Sequence, residues 1–224
     1  ARYEDLPVIM QTGMDDPDTI RQGIIDGALY FLTKPFSKEV LQMVVSAVVS
    51  NWSGHRDLLH RLESSAAQKL KLEEGRHTFR TIEEAESLAV KIASLAKQPS
   101  RALRISELLI NAVEHGNLGI TYEEKGELMR KNRWRDEVDR RLNLPAYRGI
   151  EATITVRLDP KELRVDILDG GKGFDFKQYL VINPTRVFDS HGRGIALANS
   201  FLHLRFHPPG NRVTVTFSHN PLST

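Results

Sequence analysis

Residues 105–117 read Ile-Ser-Glu-Leu-Leu-Ile-Asn-Ala-Val-Glu-His-Gly-Asn, and this signature segment decides the fold. At 3.6 residues per turn, its polar side chains share one helix face, namely Glu107, Asn111 and Glu114. The apolar side chains between them point the other way, toward a core. An asparagine there can hold a metal ion that carries phosphates, and a glutamate can orient or deprotonate a nucleophile. We therefore predict a helix over about residues 101–116 that offers Glu107 and Asn111 to a cleft.

Two glycine-rich segments follow, Asp-Gly-Gly-Lys-Gly-Phe at 169–174 and His-Gly-Arg-Gly-Ile-Ala-Leu at 191–197. Glycines let backbone N–H groups approach phosphate oxygens closely. Asp169 follows the apolar run 163–168 and so projects from a strand end, whereas Arg193 can reach phosphates or face solvent. Each glycine pattern alone is weak, since it often marks only a turn. The order of all three segments, with helix and strand patterns between them, is a much more specific signal.

Over about residues 74–218 this combination resembles the ATP-binding fold that gyrases and histidine kinases share, and within it the anti-sigma-factor serine kinases. The resemblance implies ATP and Mg²⁺ as cofactors, Glu107 as general base and Asn111 as the Mg²⁺ ligand. It implies that Asp169 accepts the adenine amino group. The other nucleotide-binding positions that it implies are Gly171, Gly173, Gly192, Gly194 and Thr214, with Thr216 as a second candidate for the last of these.

Residues 1–51 read as strand, helix, strand and helix, with apolar runs at 6–10 and 29–32 as buried parallel strands. This order resembles the last part of a response-regulator receiver domain. The resemblance implies a receiver switch at Thr12, Phe31 and Lys34, in which the threonine and the lysine contact a phosphoryl group. The aspartate that carries this group belongs to an earlier strand, outside the 224 residues.

We therefore predict an α/β chain in three parts. These are the C-terminal part of a parallel-sheet receiver domain at 1–51, a helical linker at 52–73 and an α+β two-layer sandwich ATP-binding domain at 74–224. Apolar residues recur every four positions in the linker, at Leu58, Leu62, Ala66 and Leu70. They form either a seam between two chains or a solvated spacer. Together with the incomplete receiver sheet, they lead us to expect a homodimer.

Composition narrows the functional classes. The net charge is +2, with 31 basic and 29 acidic residues, which gives no argument for nucleic acid. Cysteine is absent, which excludes disulfides and thiolate metal sites. No apolar run approaches the roughly 18–20 residues of a membrane span. We expect a cytoplasmic protein that binds neither nucleic acid nor membrane.

Three functions stay open at this stage. In the first, the chain transfers the γ-phosphate of ATP to a serine or threonine of a partner, such as an anti-sigma antagonist, under control of an upstream sensor histidine kinase. In the second, bound nucleotide changes the affinity of the chain for a sigma factor or antagonist, and no ATP is turned over. The charged segment 121–143 is then the docking surface. In the third, it is itself a histidine kinase. The residues around His60 lack the acidic neighbour and proline of that family's phosphoacceptor motif, which argues against the third.

Overall fold

The computed structural model describes residues 8–13, 22–23, 28–42, 44–45, 48–49, 72–180 and 194–218. Across these residues the protein is mixed α/β, with a two-stranded parallel sheet and a five-stranded antiparallel sheet. Most of the predicted linker and the segment 181–193, which contains Gly192 and Arg193, lie outside the described residues.

The N-terminal strands are β1 (Val8–Thr12) and β2 (Ala28–Thr33), and they pair in parallel as predicted. The prediction that β1 is buried was wrong, because none of its residues is buried and Val8 is exposed. Thr12 lies opposite Thr33, and the Lys34 N–H donates to the Thr12 carbonyl oxygen at 2.8 Å. The Lys34–Pro35 peptide bond is cis. Because parallel strands end at the same edge of a sheet, Thr12 and Lys34 lie side by side there. Phe31 lies within β2, and its side chain is outside the described part of the chain.

A helical stretch follows β2 and covers this small sheet. Residues 38–42, 44–45 and 48–49 are helical, and the Ser37 hydroxyl accepts the Val40 N–H at 3.3 Å, as expected of an N-cap. Among the described residues of this part, Leu32, Val44 and Val48 form one buried apolar cluster. The amphipathic spacing of the valines thus produces a small core, with Val45 and Val49 exposed.

The larger sheet has the strand order β3-β4-β5-β7-β6, and all neighbours are antiparallel. Its strands are β3 (Gly75–Phe79), β4 (Ala152–Leu158), β5 (Glu162–Leu168), β6 (His203–His207) and β7 (Arg212–Ser218). Alternate residues are buried, for example Leu163, Val165 and Ile167 on β5. This period of two was visible in the sequence, and it places one face of the sheet in the core.

Five α-helices of the described residues accompany the larger sheet: α1 (Ile82–Leu95), α2 (Ala102–Asn111), α3 (Tyr122–Arg130), α4 (Trp134–Asn143) and α5 (Gly194–Phe201). Thr81 and Glu84 form a capping box at the start of α1. Helices α1 and α2 share one core with the inner face of the sheet, which gives two layers. Among the described residues, none of the helices is both long and apolar enough to cross a membrane.

The signature segment differs from the single helix that we predicted over 101–116. A 3₁₀ turn at Pro99–Arg101 precedes α2, and a π-helix at Ala112–Asn117 follows it. The wider π-turn brings the Leu118 N–H to the Val113 carbonyl oxygen, five residues back, at 2.9 Å. A π-turn holds more residues than an α-turn, so the side chains after Asn111 leave the 3.6-residue phase. Our placement of Glu114 on the cleft face was therefore wrong, and its side chain is fully buried.

Candidate functional site

The end of the signature segment lies directly against the first glycine-rich segment. A Cβ atom added at Gly116 would stand 2.3 Å from Cγ of Asp169, so no side chain fits at that position. A Cβ at Gly171 would stand 2.8 Å from the Gly116 carbonyl oxygen. The Gly171 N–H donates to Oδ1 of Asp169 at 2.8 Å. The fold thus joins two of the three predicted segments through glycines that permit close approach.

Two asparagines that sequence reasoning did not single out hold this junction in place. Oδ1 of Asn117 accepts the Gly170 N–H at 2.8 Å. The Asn211 side-chain amide donates to the carbonyl oxygens of Asp169 (3.2 Å) and Gly171 (3.3 Å). The Asn117 amide nitrogen is buried and has no hydrogen-bond partner among the described residues. A buried donor without an acceptor costs free energy, so an acceptor supplied at this point would stabilise it.

Asp169 has an unusual protonation equilibrium. Burial of its carboxyl raises its pKa to about 6, although the Gly171 N–H acts in the opposite direction. The alternation along β5 explains its position, because Asp169 continues the series of residues that face the core. Its carboxylate therefore points toward the helix layer, next to Gly116.

Glu107 lies on α2 at the border of the second glycine-rich segment. Both of its carboxylate oxygens lie 3.3 Å from Nη1 of Arg104, one turn earlier. A Cβ at Gly194, where α5 begins, would be 3.5 Å from Oε2 of Glu107. Burial raises the pKa of Glu107, and the charge of Arg104 partly offsets this. Its side chain is nevertheless 27% exposed, so a ligand can reach it.

Asn111 is the last residue of α2, one turn beyond Glu107. It is partly exposed, and its side chain makes no hydrogen bond to another described residue. The amide oxygen is therefore available to a ligand. Among the residues that the structure describes, no group of three or more histidine, aspartate or glutamate side chains is arranged to hold a metal ion.

Thr214 lies apart from these residues. Its hydroxyl donates to Oδ1 of Asp166 at 2.6 Å and contacts Nε2 of His207 at 2.8 Å. Asp166 and Thr214 face each other across β5 and β7, on the face of the sheet that points away from the helices. Thr216 has the same parity and lies on the same face. The structure therefore brings neither threonine next to Asp169.

Gly173 belongs to a second close approach, between the first glycine-rich segment and the turn before β7. Its φ of +82° is in the left-handed region, and a Cβ there would stand 2.3 Å from the Pro209 carbonyl oxygen. On the other side of the contact, a Cβ at Gly210 would stand 2.2 Å from the Phe174 carbonyl oxygen. Gly173 is thus required by the backbone geometry of this loop, independently of any ligand.

Glu114 was not predicted as an anchor, yet it fixes the helices α3 and α4 to the signature segment. It forms an ion pair with Lys125 of α3, accepts the indole N–H of Trp134 at 2.8 Å, and lies 3.1 Å from Nε2 of His115. Burial by itself would raise its pKa, but Lys125 and His115 lower the pKa to about 2. The charged segment 121–143 is therefore bound to the signature segment by a buried charge.

Comparisons of the chain with protein-family models, curated proteins and solved structures found no match.

We predict that Asp169→Asn stabilises the chain at neutral pH. A carboxyl with a raised folded-state pKa contributes stability below its unfolded value of 3.8, and that stability is lost as the pH rises through about 6. The asparagine still accepts the Gly171 N–H and has no charge to bury. Urea denaturation should show the variant more stable than the wild type at pH 7.5, with the difference much smaller near pH 4. An equal difference at both pH values would contradict the assignment.

Glu114→Gln should have the opposite effect. The lowered pKa of Glu114 contributes stability that is present above 4.5 and lost as the pH falls toward about 2. The substitution leaves Lys125 without its buried partner, so we expect a loss of about 3 kcal/mol in the free energy of unfolding at pH 7. Urea denaturation at pH 7 and at pH 3 measures this loss in the free energy of unfolding. A loss that is as large at pH 3 as at pH 7 would contradict the claim that Glu114 is ionised in the folded protein.

Proposed function

We propose that this chain binds ATP with Mg²⁺ and transfers the γ-phosphoryl group to a serine or threonine of a partner protein, as the anti-sigma-factor serine kinases do. One observation carries the proposal. Residues far apart in the sequence converge, with Gly116 against Asp169 and Gly171, and Glu107 against Gly194. Chance glycine patterns give no reason for such convergence.

The junction around Asp169 fits the base of a nucleotide. Its carboxylate can accept hydrogen bonds from an exocyclic amino group, and its partial burial strengthens such bonds. The Asn117 amide nitrogen, buried and without a partner in the described part of the chain, offers a donor beside it. An amino group and an acceptor nitrogen are the features by which adenine is recognised, so the donor and acceptor of this junction complement that base.

The other end of the site fits phosphates and Mg²⁺. Mg²⁺ favours one or two protein oxygens together with phosphates and water, so Asn111 suffices as a protein ligand. When bound, the ion neutralises negative charge on the transferring group. Helix α5 begins at Gly194, next to Glu107, and its N-terminal N–H groups favour an anion there. Arg193 and Gly192 precede that helix start in the sequence and stay predictions as phosphate contacts.

Glu107 is the residue that we assign to activating the nucleophile. Its raised pKa makes the carboxylate a stronger base than an exposed glutamate. The Arg104 guanidinium lies beside both oxygens, so Glu107 must share or leave that contact before it accepts a proton. Arg104 thereby holds the base in position in the resting protein.

The same contact favours a second candidate function. A glutamate whose two oxygens are both beside an arginine is poorly prepared for proton transfer. In this alternative the chain binds nucleotide without turnover, and the bound nucleotide controls its affinity for a sigma factor or an antagonist. The two candidates share the nucleotide site and differ in the fate of the γ-phosphate.

Residues 1–51 support regulation by phosphorylation. The juxtaposition of Thr12 and Lys34 at the carboxyl edge of β1 and β2 is the arrangement that a receiver domain requires. We propose that a sensor histidine kinase acts upstream, that the protein works in the cytoplasm, and that it forms a homodimer.

Asn111→Ala should abolish Mg²⁺-dependent binding of a non-hydrolysable ATP analogue. The alanine removes the only metal ligand that we assign, so the heat of binding with and without Mg²⁺ should become the same in titration calorimetry. Asn143→Ala is the matched control, because its side chain only donates to the Asp139 carbonyl oxygen on α4. Unchanged Mg²⁺-dependent affinity in Asn111→Ala would refute the site.

Glu107→Gln should keep nucleotide binding and slow γ-phosphate turnover by about two to four orders of magnitude, which is the usual contribution of a general base. Release of labelled phosphate from γ-labelled ATP measures it. Glu127→Gln serves as control, since Glu127 is an exposed glutamate paired only with Lys131. Binding without turnover in the wild type would select the second candidate, and acid-labile phosphate on this chain would indicate a histidine kinase.

A further inference from the structure

The face of the larger sheet that points away from the helices carries an unusual set of charges. Alternation places five arginines on it: Arg76, Arg157, Arg164, Arg205 and Arg212. The strands contribute only two carboxylates to the same face, Glu162 and Asp166. His203 and His207 lie on it as well, along the edge strand β6. We call this surface the arginine face.

The two carboxylates do not neutralise the arginine face. Asp166 is nearly buried and already engaged, by the Thr214 hydroxyl at 2.6 Å and by Arg212 at 3.1 Å. Arg157 is 3.7 Å from the same carboxylate, but its side chain is 59% exposed. Arg205 is exposed and has no ion pair with any described residue. Positive charge therefore remains available to an external partner.

The arginine face also contains a cross-strand pair of like charges. Arg157 on β4 lies directly opposite Arg164 on β5. Like charges directly across an antiparallel pair are destabilising. Arg164 reaches Glu162 at 2.8 Å along its own strand, which relieves the repulsion only in part. A pair that costs stability in the isolated chain is stabilising once an anion lies between the two side chains.

We propose that the arginine face docks an acidic segment of a partner protein, with carboxylates placed between Arg157, Arg164 and the β6 edge. Adjacent strands lie about 4.8 Å apart, and an α-helix repeats about every 5.4 Å, so a helix crossing the strands presents one side chain to each. Guanidinium groups bind carboxylates in a two-pronged geometry that lysine does not offer. This inference does not depend on the proposed nucleotide site.

A nucleic acid is the competing polyanion, and the arginine face favours it less. Proteins that bind single strands on a sheet stack the bases on aromatic side chains. Among the described strand residues on this face there is no phenylalanine, tyrosine or tryptophan. Threonines occupy the positions between the arginines instead, as at Thr155 and Thr216.

The test measures the binding of a fluorescent peptide to the full chain through the anisotropy of the peptide's fluorescence. The salt concentration is low, about 50 mM, because charge screening is then weak. The peptide has about 18 residues, enough for roughly 27 Å of helix, with glutamate at every third or fourth position among alanines. Arg157→Gln combined with Arg164→Gln should weaken binding about tenfold, because it removes two ion pairs. The same double variant should unfold at an equal or higher urea concentration, because it removes the repulsion. If the two arginines only stabilised the fold, the double variant would be less stable than the wild type.

Arg130→Gln combined with Arg133→Gln is the matched control, since these arginines are exposed at the α3–α4 turn. It should bind the peptide as the wild type does, and so should Asn111→Ala, which separates this test from that of the nucleotide site. The proposal is overturned if the wild type does not bind the peptide, or if the Arg157 and Arg164 double variant binds it equally well. If a single-stranded oligonucleotide of equal charge binds more tightly than the peptide, the partner of the arginine face is a nucleic acid and the proposal of a protein partner is overturned.

Discussion

The absence of a side chain at Gly116 is the constraint on which the site depends. The signature segment ends against the Asp169 carboxyl, with no room for a single additional carbon atom. This contact fixes where the helix layer meets the end of β5, and the backbone of Gly171 completes it. The junction thus joins the backbone of Gly116 and Gly171 to the side chain of Asp169. Its shape therefore depends on the rigidity of the segments behind Gly116.

That rigidity comes from a charge placed where apolar residues are usual. Removing a carboxylate from water costs several kcal/mol, and only good hydrogen-bond geometry offsets the loss. Glu114 meets this condition through Lys125, Trp134 and His115, and its pKa falls as a result. Helices α3 and α4 are highly charged and bury little of their surface, so this anchor ties them to the site. The segment 122–143 is thus tied to the signature segment through Glu114.

The parts of the fold that local patterns encode were predictable from the sequence. Neighbouring residues determine the alternation in 162–168 and the capping by Thr81 and Glu84. Parallel pairing determines that Thr12 and Lys34 lie at the same edge of the small sheet. Glu114 was not predictable in this way, because its partners lie 11 and 20 residues further on. The π-turn is a choice of backbone hydrogen bonds, and residue types do not specify it.

Thr214 shows a different limit of sequence reasoning. The resemblance to a kinase family suggested it, whereas the alternation of Val213, Val215 and Phe217 already indicated that Thr214 faces away from the core. A site residue that is assigned from a family resemblance must also lie on the correct face of the sheet, which alternation along its strand determines. Asp169 satisfies that requirement, because it continues the series of β5 residues that face the core.

The bond between Trp134 and Glu114 gives the protein an internal optical label. The chain has two tryptophans, Trp52 and Trp134, so a single replacement at Trp52 leaves one indole ring at the anchor. Lys125 lies 5.6 Å and Arg135 lies 5.8 Å from the centre of that ring. Indole emission is sensitive to nearby charge and to water. A shift of α3 and α4 relative to the signature segment would therefore change the colour of the protein's own fluorescence, with no attached dye.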